Sequence, residues 1–135
     1  LVKRLGVQGN VRFLGTLDEL QMKQAFLDAN VYVMPSAIEN SPNSLCEAQI
    51  LGVPIVASYC GGAPSLMTDQ ESGYFYRYEE YEMLAHLIIR LFSESDFTVL
   101  SKQEQAVALV RHDRCANATI LATIYQSIIN NSDAE

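Results

Sequence analysis

Two short apolar runs, separated by a turn and one helix-length segment, constrain the fold of this chain more than any other feature. The runs are residues 31–34 (VYVM) and 53–58 (VPIVAS), and residues 43–51 between them suit a helix that ends before Gly52. The first run lacks alternation of polar and apolar residues, which is typical of a strand covered on both faces in the middle of a parallel sheet. Strand, helix and strand in this order predict a parallel β-α-β unit.

The same alternation continues on the amino-terminal side. Residues 11–15 (VRFLG) are predicted to form a strand. The helix after it should reach about residue 29, and Thr16 would cap it with Glu19 as the reciprocal capping-box partner.

Five further elements are predicted downstream, in the order helix, strand and three helices: 64–69, 73–76, 79–92, 96–111 and 114–130. Two of these helices carry apolar stripes that we expect to pack: Met83, Leu84, Leu87, Ile88 and Leu91 in one, and Leu121, Ile124, Tyr125 and Ile128 in the other. The predicted fold class is α/β, a Rossmann-like parallel sheet of three to four strands with flanking helices.

Size and charge limit the classes of partner. The chain has 135 residues, of which 49% are hydrophobic, so residues 1–135 are expected to form a single domain. With 16 acidic and 9 basic residues, the charge argues against a nucleic-acid partner, and a phosphate would have to be held by local groups. No apolar run approaches the roughly 20 residues that span a bilayer.

The three cysteines, Cys46, Cys60 and Cys115, are odd in number and have neither C-x2-C nor Cys/His spacing. Such a pattern is typical of free thiols in a reducing compartment, rather than of a disulfide framework or a zinc site. We therefore expect a cytoplasmic localisation and no metal.

Two glutamates mark the region where a ligand is expected. Ligands of open parallel sheets bind outside the carboxyl ends of the strands, which places residues 35–47 and 59–65 on a common rim. Glu39 and Glu47 lie there, eight positions apart, and a carboxylate can accept both hydrogens of a vicinal diol such as that of ribose. Alternatively, Glu47 is an acidic residue favoured by the dipole of its helix, and Glu39 an ordinary exposed loop residue.

Backbone groups on the same rim suit an anion. The turn before residue 43 leads into a helix whose free N–H groups could bind a diphosphate without a lysine. Asn43 and Ser44 could equally be ordinary N-cap residues. Gly61 and Gly62 follow a strand and allow close approach of the backbone to a ligand, although a tight strand-to-helix turn would explain them as well.

Other polar and aromatic residues favour structural roles. His86 is expected on the solvated side of its helix, and His112 precedes Asp113, the expected cap of the last helix. Four tyrosines occur in one stretch and suit edge-strand packing, with an acceptor or interface patch as the alternative: Tyr74, Tyr76, Tyr78 and Tyr81.

An ordered set of motifs runs through nearly the whole chain. It comprises Phe13-Leu14-Gly15, Met34-Pro35-Ser36, Glu39, Leu45-x-Glu47-Ala48, Gly52-Val53-Pro54, Ala57-Ser58, Gly61-Gly62-x-Pro64 and Arg111-His112-Asp113. The set resembles the distal part of the C-terminal domain of family 4 retaining glycosyltransferases, whose two-domain GT-B fold carries an E-x7-E signature. The string ENSPNSLCEA is similar to bacterial members that build surface polysaccharides.

The resemblance implies a truncated nucleotide-sugar-binding domain. Glu39 would be catalytic, contacting hydroxyls of the donor sugar, and Glu47 would hold the ribose. The other implied donor-binding residues are Asn43, Ser44, Leu45, Gly61 and Gly62. The parent enzyme would transfer a hexose from a UDP- or GDP-linked donor with retention, without metal or cofactor, and stabilising the leaving diphosphate would be its main catalytic task.

The resemblance also implies that much of the enzyme lies elsewhere. A glycan or lipid-linked acceptor would bind a missing N-terminal domain, the parent chain would associate peripherally with the inner face of the cytoplasmic membrane, and this fragment alone would be inactive. Asn40, Ser41 and Pro42 replace the glycines that many members carry, and Ser65 replaces a frequent carboxylate. A non-catalytic sugar-nucleotide-binding domain and a GT-B-fold epimerase or phosphorylase are the alternatives.

Overall fold

The computed structural model describes residues 1–93 and 97–132, and it contains a three-stranded parallel sheet with helices on both faces. A 3-10 turn at Gln8–Asn10 precedes the main elements, which are α1 (Glu19–Leu27), β1 (Tyr32–Met34), α2 (Asn43–Ile50), β2 (Ile55–Ser58), α3 (Ala63–Leu66), β3 (Tyr74–Tyr76), α4 (Tyr81–Ser93), α5 (Phe97–Arg111) and α6 (Arg114–Ser132). The strand order is β1-β2-β3, so the α/β fold class predicted from the sequence is confirmed.

Strand β2, rather than β1, occupies the middle of the described sheet. All four residues of β2 are buried, whereas Tyr32 and Val33 of β1 are only half-buried. The strand predicted at residues 11–15 does not form, and Phe13 is 82% exposed. Residues 11–15 do not form a strand because no described segment pairs with them. Strand β1 therefore has a described neighbour on one side only, and it lies at the edge of the sheet rather than in the middle.

Helix α1 begins two residues later than predicted. The Asp18 carboxylate accepts a hydrogen bond from the Gln21 N–H (2.9 Å), and the Gln21 side chain accepts one from the Asp18 N–H (3.0 Å). This capping box replaces the predicted pair of Thr16 and Glu19. The motif was anticipated and its register was wrong, since Asp is at least as good an N-cap as Thr and Gln can replace Glu in the box.

Side chains alternate between the two faces of β2 and divide the core. Ile55 and Ala57 pack toward α1, α2 and α3 in a cluster that includes Leu45. Val56 packs on the other face in a cluster with residues of β3 and α4, among them Leu87. The predicted stripe of α4 is thereby largely confirmed, with Met83 as the exception at 44% exposure.

Helix α6 has 19 residues, and none of those described belongs to either cluster. The predicted packing of its apolar stripe is wrong for the described residues, because these side chains are half exposed or more: Leu121 53%, Ile124 50%, Tyr125 61% and Ile128 58%. Periodicity shows that a helix has a face suited to burial, but it does not say what covers that face. The start of the helix is as predicted, with the Asp113 carboxylate accepting from the Ala116 N–H at 2.6 Å.

Helix α5 packs against α2. Its Gln105 side chain donates to the Ile50 carbonyl (2.9 Å), and its Ser101 hydroxyl donates to the Gly52 carbonyl. The predicted boundary at residue 96 lies outside the described residues. Across 1–93 and 97–132, no helix is long and apolar enough to cross a membrane.

Candidate functional site

The segments that follow β1 and β2 are joined at the carboxyl ends of the strands. The Ser58 hydroxyl donates to the Ser36 carbonyl oxygen (2.6 Å), and the Cys60 thiol donates to the same oxygen (3.2 Å). The common rim expected from the topology is therefore present, with the Glu39 loop on one side and the glycine pair on the other.

Gly61 and Gly62 lie directly against the Glu39 loop. A Cβ atom on Gly61 would overlap the carbonyl group of Glu39, and one on Gly62 would overlap the carbonyl oxygen of Asn40. The Gly62 N–H also donates to the Asn40 carbonyl at 2.8 Å, and Gly61 has a φ of +51°. The close approach that requires glycine here is between two backbone segments, and contact of these glycines with a ligand stays a prediction.

Glu39 itself is half-buried in the loop. One carboxylate oxygen accepts from the neighbouring Asn40 N–H at 3.1 Å. Among the described residues the other oxygen has no hydrogen-bond donor, so it can accept from a ligand hydroxyl. Within the described residues the loop thus engages one carboxylate oxygen of Glu39 and leaves the other unused.

Pro42, rather than Asn43 or Ser44, is the N-cap of α2, and no side chain caps the helix. The interpretation of Asn43 and Ser44 as ordinary caps is therefore wrong. The Leu45 and Cys46 N–H groups donate to the Pro42 carbonyl (3.2 and 3.3 Å), so a ligand would have to share the predicted Leu45 contact. The Asn43 and Ser44 N–H groups have no acceptor among the described residues.

Tyr32 connects the sheet to this helix start, and sequence reasoning missed it. Its hydroxyl donates to Ser44 Oγ at 2.7 Å. Burial raises the pKa of Tyr32, the hydrogen bond with Ser44 opposes this, and the charges of Glu39 and Glu47 raise the pKa further. Both carboxylates thus act on one hydroxyl, which places Tyr32, Ser44, Glu39 and Glu47 in one electrostatic neighbourhood.

Glu47 is exposed on α2 and borders a cavity of about 470 Å³ between α1 and α2. The cavity has mainly apolar walls, among them Leu17, Leu20, Phe26 and Leu51. The sequence reading missed this cavity because residues 16–29 showed only a helical pattern, without any sign of what the helix faces.

The opposite face of α2 holds a buried polar cluster. Gln49 accepts a hydrogen bond from the Arg111 guanidinium (3.1 Å), and both side chains donate to the Leu66 carbonyl (3.0 and 2.7 Å). Glu104 is 1% exposed, and its Oε1 has no hydrogen-bond partner in the described chain. Burial raises the pKa of Glu104 to about 8, although a hydrogen bond with Gln49 lowers the pKa in part.

A second group of aromatic and charged residues lies beside β3. Tyr74 and Tyr76 are buried, which confirms their predicted packing, but the prediction is wrong for Tyr78 and Tyr81, which are 41% and 65% exposed. Tyr59 contacts Phe75 edge to face at 5.2 Å. His86 is exposed and lines an open cavity there, away from the two glutamates. Within the described ranges, no three His, Cys, Asp or Glu side chains are grouped so that they could hold a metal ion.

A parallel sheet with helices on both faces, and with its unused polar groups at the carboxyl ends of the strands, defines a Rossmann-type ligand-binding domain. The family described as "Glycosyl transferases group 1" matches residues 1–108, and the chain belongs to this family.

Curated relatives include D-inositol 3-phosphate glycosyltransferases. The protein of Streptomyces griseus subsp. griseus is 31% identical over 134 residues, which are 97% of this chain and 28% of the relative. That of Streptomyces avermitilis is 31% identical over 115 residues, which are 85% of this chain and 24% of the relative. The chain thus spans less than a third of the length of these relatives.

Solved structures share the fold. Sucrose-phosphate synthase from Thermosynechococcus elongatus superimposes with a TM-score of 0.86 at 24% identity, over 96% of this chain and 33% of that one. Anabaena Alr3699/HepE in complex with UDP and glucose superimposes with a TM-score of 0.79 at 26% identity, over 99% and 35%. These likenesses confirm the predicted Rossmann-like sheet of a GT-B glycosyltransferase domain.

Proposed function

We propose that residues 1–135 form the donor-binding part of a longer glycosyltransferase that uses a UDP- or GDP-linked sugar. The observation that carries this proposal is the pair of carboxylates, Glu39 and Glu47, on either side of a helix start with two unused N–H groups. Family membership and the UDP-glucose complex of Anabaena HepE support it.

The diphosphate would bind at the start of α2. Within residues 1–93 and 97–132 the N–H groups of Asn43 and Ser44 have no acceptor, and the positive end of the helix dipole favours an anion there. The acidic composition of the chain makes such local binding necessary, because bulk charge would repel a diphosphate. In this proposal the donor is a substrate and no metal or cofactor takes part.

The nucleoside would lie between that helix start and the cavity. Glu47 can accept both ribose hydroxyls, and it borders the cavity whose apolar walls suit the faces of a planar base. UDP is the first ligand to test, since HepE is complexed with it. Glu39, with one carboxylate oxygen unused, would accept from a hydroxyl of the sugar.

Transfer with retention is the proposed chemistry. The bond between the anomeric carbon and the β-phosphate oxygen breaks, the acceptor oxygen attacks from the same face, and the acceptor proton passes to the departing phosphate. The start of α2 stabilises the charge that develops on this leaving group. A glycan or lipid-linked acceptor would bind outside this chain, at the inner face of the cytoplasmic membrane, in the synthesis of a surface glycan.

Titration calorimetry on the full-length protein tests the binding part. We expect Glu47→Ala to weaken UDP and UDP-glucose alike, by about tenfold or more, because a charged acceptor is lost. Glu39→Ala should mainly remove the preference for UDP-glucose over UDP. Glu82→Ala, an exposed carboxylate on α4, is the matched control. Equal affinity of wild type and both site variants would contradict the assignment.

A second measurement separates the enzyme classes. A transferase releases UDP from UDP-glucose only when an acceptor is supplied, and the glycosidic product keeps the donor configuration. Interconversion of free sugar nucleotides without acceptor would indicate an epimerase, and binding without either reaction a non-catalytic module. Either of the last two results would overturn the proposed transfer while leaving the binding site intact.

A further inference from the structure

The hydroxyl of Tyr32 reaches from β1 to the first turn of α2, where it donates to Ser44 Oγ at 2.7 Å. We propose that Tyr32 is a positioning residue that directs the hydroxyl hydrogen of Ser44 toward the diphosphate of the donor. This inference rests on the proposed function of the site and adds to it a side-chain contact controlled from the sheet.

The hydrogen bonds that the Ser44 hydroxyl can form support the proposal. A serine hydroxyl has one hydrogen to donate and two lone pairs to accept with, and Tyr32 occupies one of the lone pairs. In the described part of the chain the hydroxyl hydrogen of Ser44 has no acceptor. The carbonyl four residues earlier, to which a helical serine often donates, is that of Asn40; it lies before the start of α2, where it accepts from the Gly62 N–H.

Tyr32 is held in place by contacts at its ring and its backbone. Burial and the two nearby carboxylates raise its pKa, so the phenol stays protonated at neutral pH. Its ring contacts Phe26 edge to face, with centroids 5.3 Å apart. Its backbone N–H donates to the Pro54 carbonyl at 2.8 Å. A group fixed in this way loses little conformational freedom when a ligand binds.

Tyr32→Phe is a suitable variant because it removes one oxygen and keeps the ring and its contact with Phe26. Without the phenol, the Ser44 hydroxyl can turn and lose its alignment with a phosphate oxygen. A hydrogen bond to a charged oxygen is worth enough that we expect UDP affinity to fall by about three- to tenfold. Tyr81→Phe, at an exposed tyrosine, should leave the affinity unchanged.

A double-mutant cycle distinguishes positioning from simple packing. UDP affinity is measured by calorimetry for full-length wild type, Tyr32→Phe, Ser44→Ala and the double variant. If Tyr32 acts through Ser44, the double variant binds like Ser44→Ala within about twofold. Ser44→Thr keeps a hydroxyl and should keep the sensitivity to Tyr32→Phe. Additive losses, or no loss in Tyr32→Phe, overturn the proposal.

The outcomes also separate this proposal from the one on which it rests. If wild type binds neither UDP nor GDP, both fail. If Glu47→Ala weakens UDP binding while Tyr32→Phe does not, the donor site stands and the positioning role fails. Thermal unfolding of Tyr32→Phe, followed in the same samples, should stay cooperative, with a midpoint only slightly lowered by the lost hydrogen bond and well above the temperature of the calorimetry, which excludes misfolding as the source of a lost affinity.

Discussion

Helix α2 has two faces with opposite properties. At the rim, Glu47 is exposed and Ser44 half-buried, and both keep hydrogen-bonding capacity that no described residue uses. On the other side Gln49 is 1% exposed, and its amide is engaged on both its oxygen and its nitrogen. If the proposed donor site is right, this helix of eight residues has one face for binding and one for stability. Variants on the rim face should change affinity, and variants on the α5 face should change the free energy of unfolding.

The largest effect is expected at Gly61, which lies on the rim but should affect stability, and is therefore an exception to this division between the two faces. Gly61→Ala places a Cβ against the Glu39 carbonyl at positive φ, so we expect a loss of about 4 kcal/mol in urea unfolding of the full-length protein. Gly6→Ala is the matched control, because Gly6 has a φ of +69° and no atom of the described residues lies within 4 Å of the added Cβ. It should cost only about 1 kcal/mol. Equal losses would mean that the close approach is not what requires glycine.

Glu104→Gln tests the α5 face through pH. The folded-state pKa of Glu104, about 8, lies above its usual value near 4.5, so the folded protein keeps a proton that the unfolded chain releases. Stability from this group is full below pH 4.5 and is lost as the pH rises toward about 8. The variant should remove this dependence and gain on the order of 3 kcal/mol at pH 8.

Unfolding measured at three pH values between 5 and 8 would show the Glu104 effect as a difference in slope between wild type and variant. Glu82→Gln, on the exposed side of α4, should keep the wild-type slope. Parallel curves for wild type and Glu104→Gln would show that the folded protein does not raise the pKa of this carboxyl group.

Arg111→Met probes the same face with a smaller effect. The variant keeps an apolar stem and removes two hydrogen bonds, to Gln49 Oε1 and to the Leu66 carbonyl, so about 1 to 2 kcal/mol of stability should be lost. Arg114→Met, at an exposed arginine, should change stability by less than about 0.5 kcal/mol. UDP affinity should stay at the wild-type value, and a parallel loss of affinity would show that the two faces of α2 are coupled.

Glu47→Ala should have the smallest effect on stability, and so it tests whether the rim face of α2 affects binding alone. The side chain is exposed, and we expect the free energy of unfolding to stay within about 0.5 kcal/mol of wild type while UDP affinity falls. Unfolding and calorimetry on one preparation give both numbers. A stability loss as large as that of Arg111→Met would mean that Glu47 supports the helix rather than a ligand.

Much of the rim could be predicted because its signals are local. Gly52, which has a positive φ, follows the end of α2. Strand β2 begins two residues after the start of the apolar run 53–58 and ends with it. The topology rule then placed the Glu39 loop and the glycine pair together. The strand at 11–15 and the packing of α6 were wrong because each depends on a partner surface, and local periodicity carries no information about that surface.

The contacts between distant segments could not be predicted in this way, because no local sequence pattern indicates them. Arg111 appeared in a family motif without a role, and its bond to Gln49 joins residues 62 positions apart. Glu104 has the polarity of a surface residue and is buried only because α5 lies on α2. Tyr32 had the pattern of a strand residue, and its bond to Ser44 depends on how the strand and the helix pack.

The sequence by itself determined the α/β class, the family and the two glutamates that flank the helix start, because these follow from residue types at short spacing. Only the tertiary structure decided which groups at that site remain free to bind and which are consumed within the fold. The physical reason is that each hydrogen bond uses a donor or acceptor once, and the choice of partner is made when distant segments meet.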